Sequence, residues 1–525
     1  MTRYDAVIIG GGHNGLVCAF YLASAGLTVK IHERRDIVGG AAVTEEFFPG
    51  FRNSTASYTV SLLNPKIIQD MKLKERGLRF IKRPISNFFP IDKTQYLKLG
   101  GSVSRTQDEF RKFSSHDAEI LPEYHRRIDA VADVLRALSE KTPPNPRRGI
   151  RGALQAAIQL WPAARGSETL HRDLLDLFTK SARSFLDGWF ESDHVKAAFA
   201  FDSIVGNYAS PETPGSAYVL LHHVFGELDG EKGAWGHAVG GMGAITTAMR
   251  EACEEKGVEI ETGSSVSSVL SERGRVSGVR LENGDTSKAE RVVSNVNPKL
   301  LYGKMIPEDQ LSPEFVSRMR AYRCGSGTFR MNVALSELPD FTCLPGTNVQ
   351  EHHKAGIVIG PTLDYLDRAF TSAKVNGWSD EPIVEILIPS TVDPTLAPEG
   401  KHVASLFCQQ FAPALPDGRG WADERERAAQ TIINTVTKHA PNFRNSILGM
   451  LTLSPADLEE RFGLVGGDIM HGAMTLDQMW AARPVLGYGD YRGPLRGLYH
   501  CGAGAHPGGG VTGLPGRNAA REILR

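Results

Sequence analysis

The chain has 525 residues, 41% of them hydrophobic and 23% charged, which is too much for one ordinary core and predicts a globular protein of two or three domains. Its 59 Lys and Arg and 60 Asp and Glu leave a net charge of -1, so no basic face points to a nucleic-acid partner. The six cysteines, at 18, 253, 324, 343, 408 and 501, form no C-x-x-C pair; a zinc site, a disulfide framework and a redox-active dithiol are all excluded, and reduced thiols of a cytoplasmic protein are expected.

Tyr4 to Ile9 predicts a buried strand, an apolar run stopped by glycine. With a strand this close to the start no signal or transit peptide is expected, and no apolar run approaches the ~18 residues of a membrane span. Gly10-x-Gly12-x-x-Gly15 follows, enclosing Asn14, and Leu16 to Ala25 reads as a helix closed by Gly26. Thr28 to His32 is the next strand, ending on Glu33. A strand, glycine turn, helix and strand in this order cradle a dinucleotide pyrophosphate at the helix N-terminus, while Glu33 is placed to accept from a ribose diol and disfavours a 2′-phosphate. Arg34 and the diglycine Gly39-Gly40, with Ala41 after it, let the chain pass the cofactor a second time.

Residues 66–230 read as a mainly helical insertion, with helices over 117–140, 150–161, 168–190 and 215–226. "TPPNPRRGIRG" (142–152) is a proline-rich, basic connector. The helix after it puts Ile150, Leu154, Ile158 and Trp161 on one face, with Arg147, Arg148, Arg151 and Arg165 around them. Such a helix either packs on its own protein or guards a substrate entrance as a membrane-surface patch.

Further on, Trp235, His237 and the run Gly240-Gly241-Met242-Gly243 precede a helix, a strand at Val258 to Ile260, then Val266 and a short strand at Arg291 to Ser294. These read as later strands of the first sheet, so the dinucleotide-binding domain is expected to be discontinuous, made of 1–65, 231–295 and 484–525. Residues 296–483 read as a substrate domain with a mixed sheet. There Phe329, Met331, Val333 and Leu335 alternate as in a half-buried strand, with Ile383 to Ile388 and Val403 to Phe411 as its neighbours. That sheet would wall an apolar pocket. The histidines His222-His223, His352-His353, His471 and His506 lack ligand spacing and acidic partners, so no metal site is expected. No G-x-S-x-G elbow anchors a hydrolase triad.

The C-terminal stretch "GLYHCGAGAHPGGGVTGLPGRNAAREIL" (497–524) reads as a strand, a glycine loop and a helix from Thr512. A helix N-terminus there, approached through Gly502, Ala503, Gly510 and Val511, suits the N1–C2=O edge of an isoalloxazine, which carries charge when reduced.

Three segments carry a resemblance: "ERRDIVGGAAVTEEFFPGF", "GHAVGGMGA" and "CGAGAHPGGGVTGLPGRNAA". With "SYTVSLLNPKIIQDMKLKERGL" and "GGDIMHGAMTLDQMWAARP", they make the chain similar to the phytoene desaturase-related FAD oxidoreductases. The resemblance implies an α/β fold with a Rossmann-like FAD-binding domain of amine-oxidase and phytoene-desaturase type and an inserted α+β substrate domain. It also implies non-covalent FAD, oxidation of an apolar, isoprenoid or lipid-like substrate at a C–H bond with hydride passing to flavin N5, an acceptor such as oxygen or quinone, and a peripheral membrane contact. It places Gly241, Met242 and Val266 beside the cofactor. Ala41 stands where amine oxidases commonly carry arginine, and no second G-x-G-x-x-G marks an NAD(P)H domain.

No catalytic side chain is named by the sequence; His237 and His506 are the candidates because they flank cofactor-facing glycines. An FAD-binding protein with a regulatory or scaffolding role is the alternative, separated from an enzyme by whether an organic donor reduces the bound flavin.

Overall fold

The computed structural model describes residues 3–525, the side chains of His222 and His223 excepted, so the reading of that histidine pair falls outside the described residues. Two seven-stranded sheets organise the chain. In the first, strands run in the order 259–261, 29–32, 3–9, 286–294, 275–281, 266–272, and Leu498–His500 joins the far end of 286–294. Its five-strand parallel part is covered on one face by helices His13–Ser24, Gly243–Glu255 and Leu514–Ile523, whose Leu16, Val17, Ile245, Met249 and Ala519 share one core. The other face carries the antiparallel strands 266–281 and helix Pro313–Ala321 through Phe315 and Met319.

Strand Thr286–Ser294 is longer than the Val-Val pair in it suggests. Its first three residues pair with the antiparallel strand 275–281, and polar residues stand there; only Val292, Val293 and Ser294 are enclosed by both 3–9 and 498–500, and those three are continuously buried. The last helix seats directly on the first, since a Cβ on Gly516 would lie 2.2 Å from Asn14 O.

The second sheet runs 447–453, 328–335, 402–409, 383–387, 356–359, 87–90, 96–99, antiparallel except where 87–90 pairs with 356–359. Here the half-buried strand expected over 328–335 is corrected: all eight residues are buried. The alternation is real, but both faces are covered. Phe329, Met331, Val333 and Leu335 pack on helix Trp421–His439, while Arg330 and Asn332 face the segment after hairpin 44–54 rather than water. The strand 383–387 lies one place further out than expected, against 402–409.

The helical part contains Ser115–Ser139 and Ile150–Ala164 much as expected. The single helix expected over 168–190 is two, Glu168–Thr179 and Ala182–Leu186, because Lys180 is extended and the Ser181 side chain caps the second from Ser184 N. Residues 216–223 wind as 3₁₀ turns, not as an α-helix. The same stretch of sequence also supplies strands 87–90 and 96–99 to the second sheet and 80–82 to a ribbon with 236–238. Among the described residues no helix is long and apolar enough to cross a membrane.

Candidate functional site

A channel of about 460 Å³ runs along the carboxyl ends of the first sheet's parallel strands, between the two sheets. The glycine turn forms part of its wall. Gly12 opens helix His13–Ser24 with no side-chain cap, so the first amides and the positive end of the helix dipole are free for an anion. A Cβ on Gly12 would meet Asn295 Nδ2 at 2.6 Å, and one on Gly40 would stand 3.4 Å from the Gly12 Cα; the two glycine passes lie back to back. His13 Nε2 and Asn14 Oδ1 are buried without hydrogen-bond partners in this same wall. Burial holds the His13 imidazole down to about 4. Free donors, unpaired buried polar atoms and a side-chain-free cradle fit a dinucleotide phosphate group.

Glu33 is 6% exposed and lines the channel. Its Oε2 accepts from Gly11 N at 2.7 Å and its Oε1 from Arg35 N at 2.9 Å. Each oxygen keeps a lone pair for a diol. Arg34, Gly39, Gly40, Ala41 and Val266 line the channel with it, as do Arg35 and Phe462, whose ring lies 5.0 Å from the Arg35 guanidinium. From the C-terminal stretch Ala503, Gly510 and Val511 reach the channel, the last at φ 57°. The last helix starts at Leu514, two residues later than expected, and Gly513 caps it.

Four predicted residues are not in the wall. A Cβ on Gly15 would lie 2.4 Å from Gly10 O, and one on Gly502 2.4 Å from Asn295 O, so both glycines serve close packing of the strand–helix turn. Gly241 and Met242 are held behind the wall, where Met242 N donates to Ser54 Oγ at 2.9 Å and a Cβ on Gly241 would strike Thr44.

His237 also stands apart from the channel: its Nε2 meets Asp393 Oδ2 at 2.9 Å, tying the 236–238 ribbon to the second sheet's side of the molecule. That bond, with donors from Gly240 N and Thr395, holds the Asp393 carboxyl far below its usual range despite burial.

Sequence reasoning missed several lining residues. Asn295 follows strand 286–294, and a polar residue just past the carboxyl end of a parallel strand is itself a signal. Tyr58, Glu385 and Phe407 had none, because three distant segments bring them together.

Where the channel passes Leu62, Met470 and Gly509 it abuts a second cavity of about 750 Å³. Apolar side chains dominate it, among them Leu135, Leu138, Phe178, Tyr218, Met474, Met479 and Trp480. His506 belongs to this cavity and not to the channel. It is buried, bonds Leu138 O at 3.1 Å, and burial holds its imidazole down to about 4. Leu160 and Ala163 of helix Ile150–Ala164 close one side. The other side of that helix is bare: Ile150 is 88%, Leu154 60%, Ile158 65% and Trp161 59% exposed. Of the arginines around it, Arg151 is exposed, Arg165 lies over the Trp161 ring, and Arg147 and Arg148 turn back toward Tyr488 and the Asp490–Glu522 pair. Among the described residues no cluster of His, Cys, Asp or Glu could hold a metal ion.

The flavin containing amine oxidoreductase family model matches residues 15–328. The pyridine nucleotide-disulfide oxidoreductase domain-containing protein 2 of Rattus norvegicus is 40% identical, over 100% of this chain and 94% of its own length. A lycopene-forming phytoene desaturase of Pseudescherichia vulneris is 24% identical, over 97% of this chain and 96% of its own. Among solved structures, an oxidoreductase from Methanosarcina mazei superposes with a TM-score of 0.62 at 17% identity, covering 99% of both chains.

Proposed function

This chain belongs to the flavin containing amine oxidoreductase family and is an FAD-dependent oxidoreductase, and we propose that it oxidises an apolar substrate at a C–H bond. The observation that carries this reading is the apolar cavity of about 750 Å³ sharing Leu62, Met470 and Gly509 with the cofactor channel. When bound, FAD supplies the two-electron acceptor, taking hydride at N5. The chain's own groups do the rest. Glu33 would hold the ribose diol and the amides after Gly12 the pyrophosphate, with Gly10, Asn14, Arg34, Gly39, Gly40, Ala41 and Val266 along the dinucleotide and Ala503, Gly510 and Val511 near the ring system, all non-covalently. Met470, Met474 and Met479 give the substrate a wall that adapts to irregular apolar shapes, and their cavity keeps water from the reacting carbon. The similarity to a phytoene desaturase supports an isoprenoid or lipid-like substrate.

The bare face of helix Ile150–Ala164 supports a peripheral membrane contact at the cavity's edge, because Leu160 and Ala163 of the same helix face the cavity. Neither His237 nor His506 is assigned to the chemistry: His237 is committed to Asp393, and His506 to Leu138 O.

The test is anaerobic. The oxidised holoprotein is mixed with NADH, NADPH and limonene in turn while the flavin absorbance is followed. Perturbation or bleaching by the terpene, with none by the nicotinamides, supports the reading. Rapid bleaching by NADH with no response to the terpene overturns it.

A further inference from the structure

Glu385, Phe407 and Arg330 occupy directly opposed positions on three adjacent strands of the second sheet: Glu385 pairs with Phe407, and Phe407 with Arg330. Side chains at opposed positions share a face, so a carboxylate, an aromatic ring and a guanidinium stand in one row. Tyr58 lies across that row. Its ring stacks on Phe407 with centroids 5.1 Å apart, its hydroxyl donates to Glu385 Oε2, and the Arg330 guanidinium stands 4.5 Å above its ring. Arg330 is 1% exposed, donates to Leu406 O at 2.8 Å and Ser405 Oγ at 2.7 Å, and forms no ion pair among the described residues.

Tyr58, Glu385 and Phe407 all line the cofactor channel. Tyr58 also lines a separate small cavity of about 30 Å³, enough for about two water molecules, together with Lys82, Arg83, His237 and Lys354. The phenol thus separates the channel from a small chamber that three cationic side chains and His237 border. Burial and the Glu385 charge keep that phenol protonated, while the Arg330 and Arg83 cations oppose them.

We propose that Tyr58 and Glu385 form a proton relay that takes the second hydrogen of the substrate out of the channel. Making a C=C bond from two neighbouring C–H groups removes one hydrogen with its electron pair and one as a bare proton. The substrate loses the first to FAD, which is thereby reduced. The electron pair of the second C–H bond becomes the π bond, and its proton passes to Tyr58 Oη as the Tyr58 proton passes to Glu385 Oε2. Negative charge that develops on Tyr58 meets the Arg330 guanidinium over the ring, which stabilises it where water is excluded. Glu385 then hands a proton back to Tyr58, which borders the small cavity, and water there takes the phenolic proton on to solvent. A buried arginine with no carboxylate ion-paired to it among the described residues, a phenol bonded to a carboxylate and a water-sized chamber behind it are together accounted for by this role.

The relay rests on the reading that an apolar substrate reaches the channel, and the test lets the two fail separately. The probe is 1-nitrooctane, an apolar carbon acid whose C1 hydrogens exchange with D2O when a base removes them, with no redox turnover. Its binding to the oxidised holoprotein is read as a shift of the flavin spectrum, and its exchange by proton NMR. Wild type is expected to shift the spectrum and to accelerate exchange at C1. Tyr58→Phe and Glu385→Gln are expected to keep the spectral shift and flavin content while exchange falls at least tenfold, and Glu385→Asp to recover part of it. Undiminished exchange in both variants overturns the relay. A spectral shift in wild type without accelerated exchange overturns the relay and leaves the cavity reading standing, whereas the absence of any shift overturns both.

Discussion

The carboxylate of Glu33, just past the end of the second parallel strand, accepts a hydrogen bond from the Gly11 N–H at 2.7 Å, so the residue we propose for the ribose also clamps the turn we propose for the phosphates. Glu33→Gln puts an amide donor where the Gly11 and Arg35 amides already donate, and one of those buried N–H groups loses its acceptor. At about 1–3 kcal/mol for such a loss, FAD retention is expected to weaken about tenfold or more. The flavin-to-protein ratio after gel filtration measures it; an unchanged ratio would remove Glu33 from the site.

Gly12→Ala addresses the cradle itself. The added methyl would lie 2.6 Å from Asn295 Nδ2, and Asn295 is anchored to Ile9 O through its backbone amide. The side chain must swing into the channel or the turn must open. The variant is expected to fold and to purify without flavin, which circular dichroism and absorbance on one sample will show.

Part of this site was legible because its signals are local. The three glycines, the apolar strand before them and Glu33 fall within about thirty residues, a spacing that only a strand–turn–helix can satisfy. Asn14, Arg34 and the diglycine came with it. Gly241 and Gly502 lie outside the channel wall, since a glycine serves tight packing as well as it serves a ligand, and Met242 stands behind the wall with its amide bonded to Ser54. The second sheet was read as alternating, and it is; no sequence pattern says whether its polar face meets water or another part of the chain. Arg330, with Phe329 and Met331 on either side, reads as a solvent-facing residue, yet it is buried against Tyr58 from 272 positions away. The row it forms with Glu385 exists only through strand register. Strands 87–90 and 96–99 were missed because four residues give no usable period.

Acid is expected to loosen the molecule from within. His500 and His506 are buried, and burial holds their imidazoles down to about 3 and about 4. The unfolded chain titrates near 6.5, so it binds protons first as pH falls. The stability held by the neutral imidazoles is therefore complete above pH 6.5 and is lost as pH drops toward 4, by about 3 kcal/mol for His506. The unfolding temperature is expected to fall by several degrees from pH 7 to pH 5, and less in His506→Gln. Equal pH dependence in the two proteins would count against this assignment.

The bare helix makes a prediction that separates binding from folding. Ile158 is 65% and Trp161 59% exposed, so Ile158→Asp with Trp161→Asp should leave the unfolding temperature nearly unchanged. Flotation with vesicles of phosphatidylcholine and phosphatidylglycerol is expected for wild type and lost in the double variant. If wild type stays at the bottom of the gradient, the exposed face has another use.

The seating of Gly516 on Asn14 ties together two segments far apart in sequence. The helix after the glycine turn packs on the helix Leu514–Ile523, and strand 498–500 lies beside 286–294. One flank of the turn is therefore supplied from a distance, and local sequence alone does not complete it. A variant cut before Leu498 loses that helix and that strand together, and is expected to retain no flavin however much FAD is supplied.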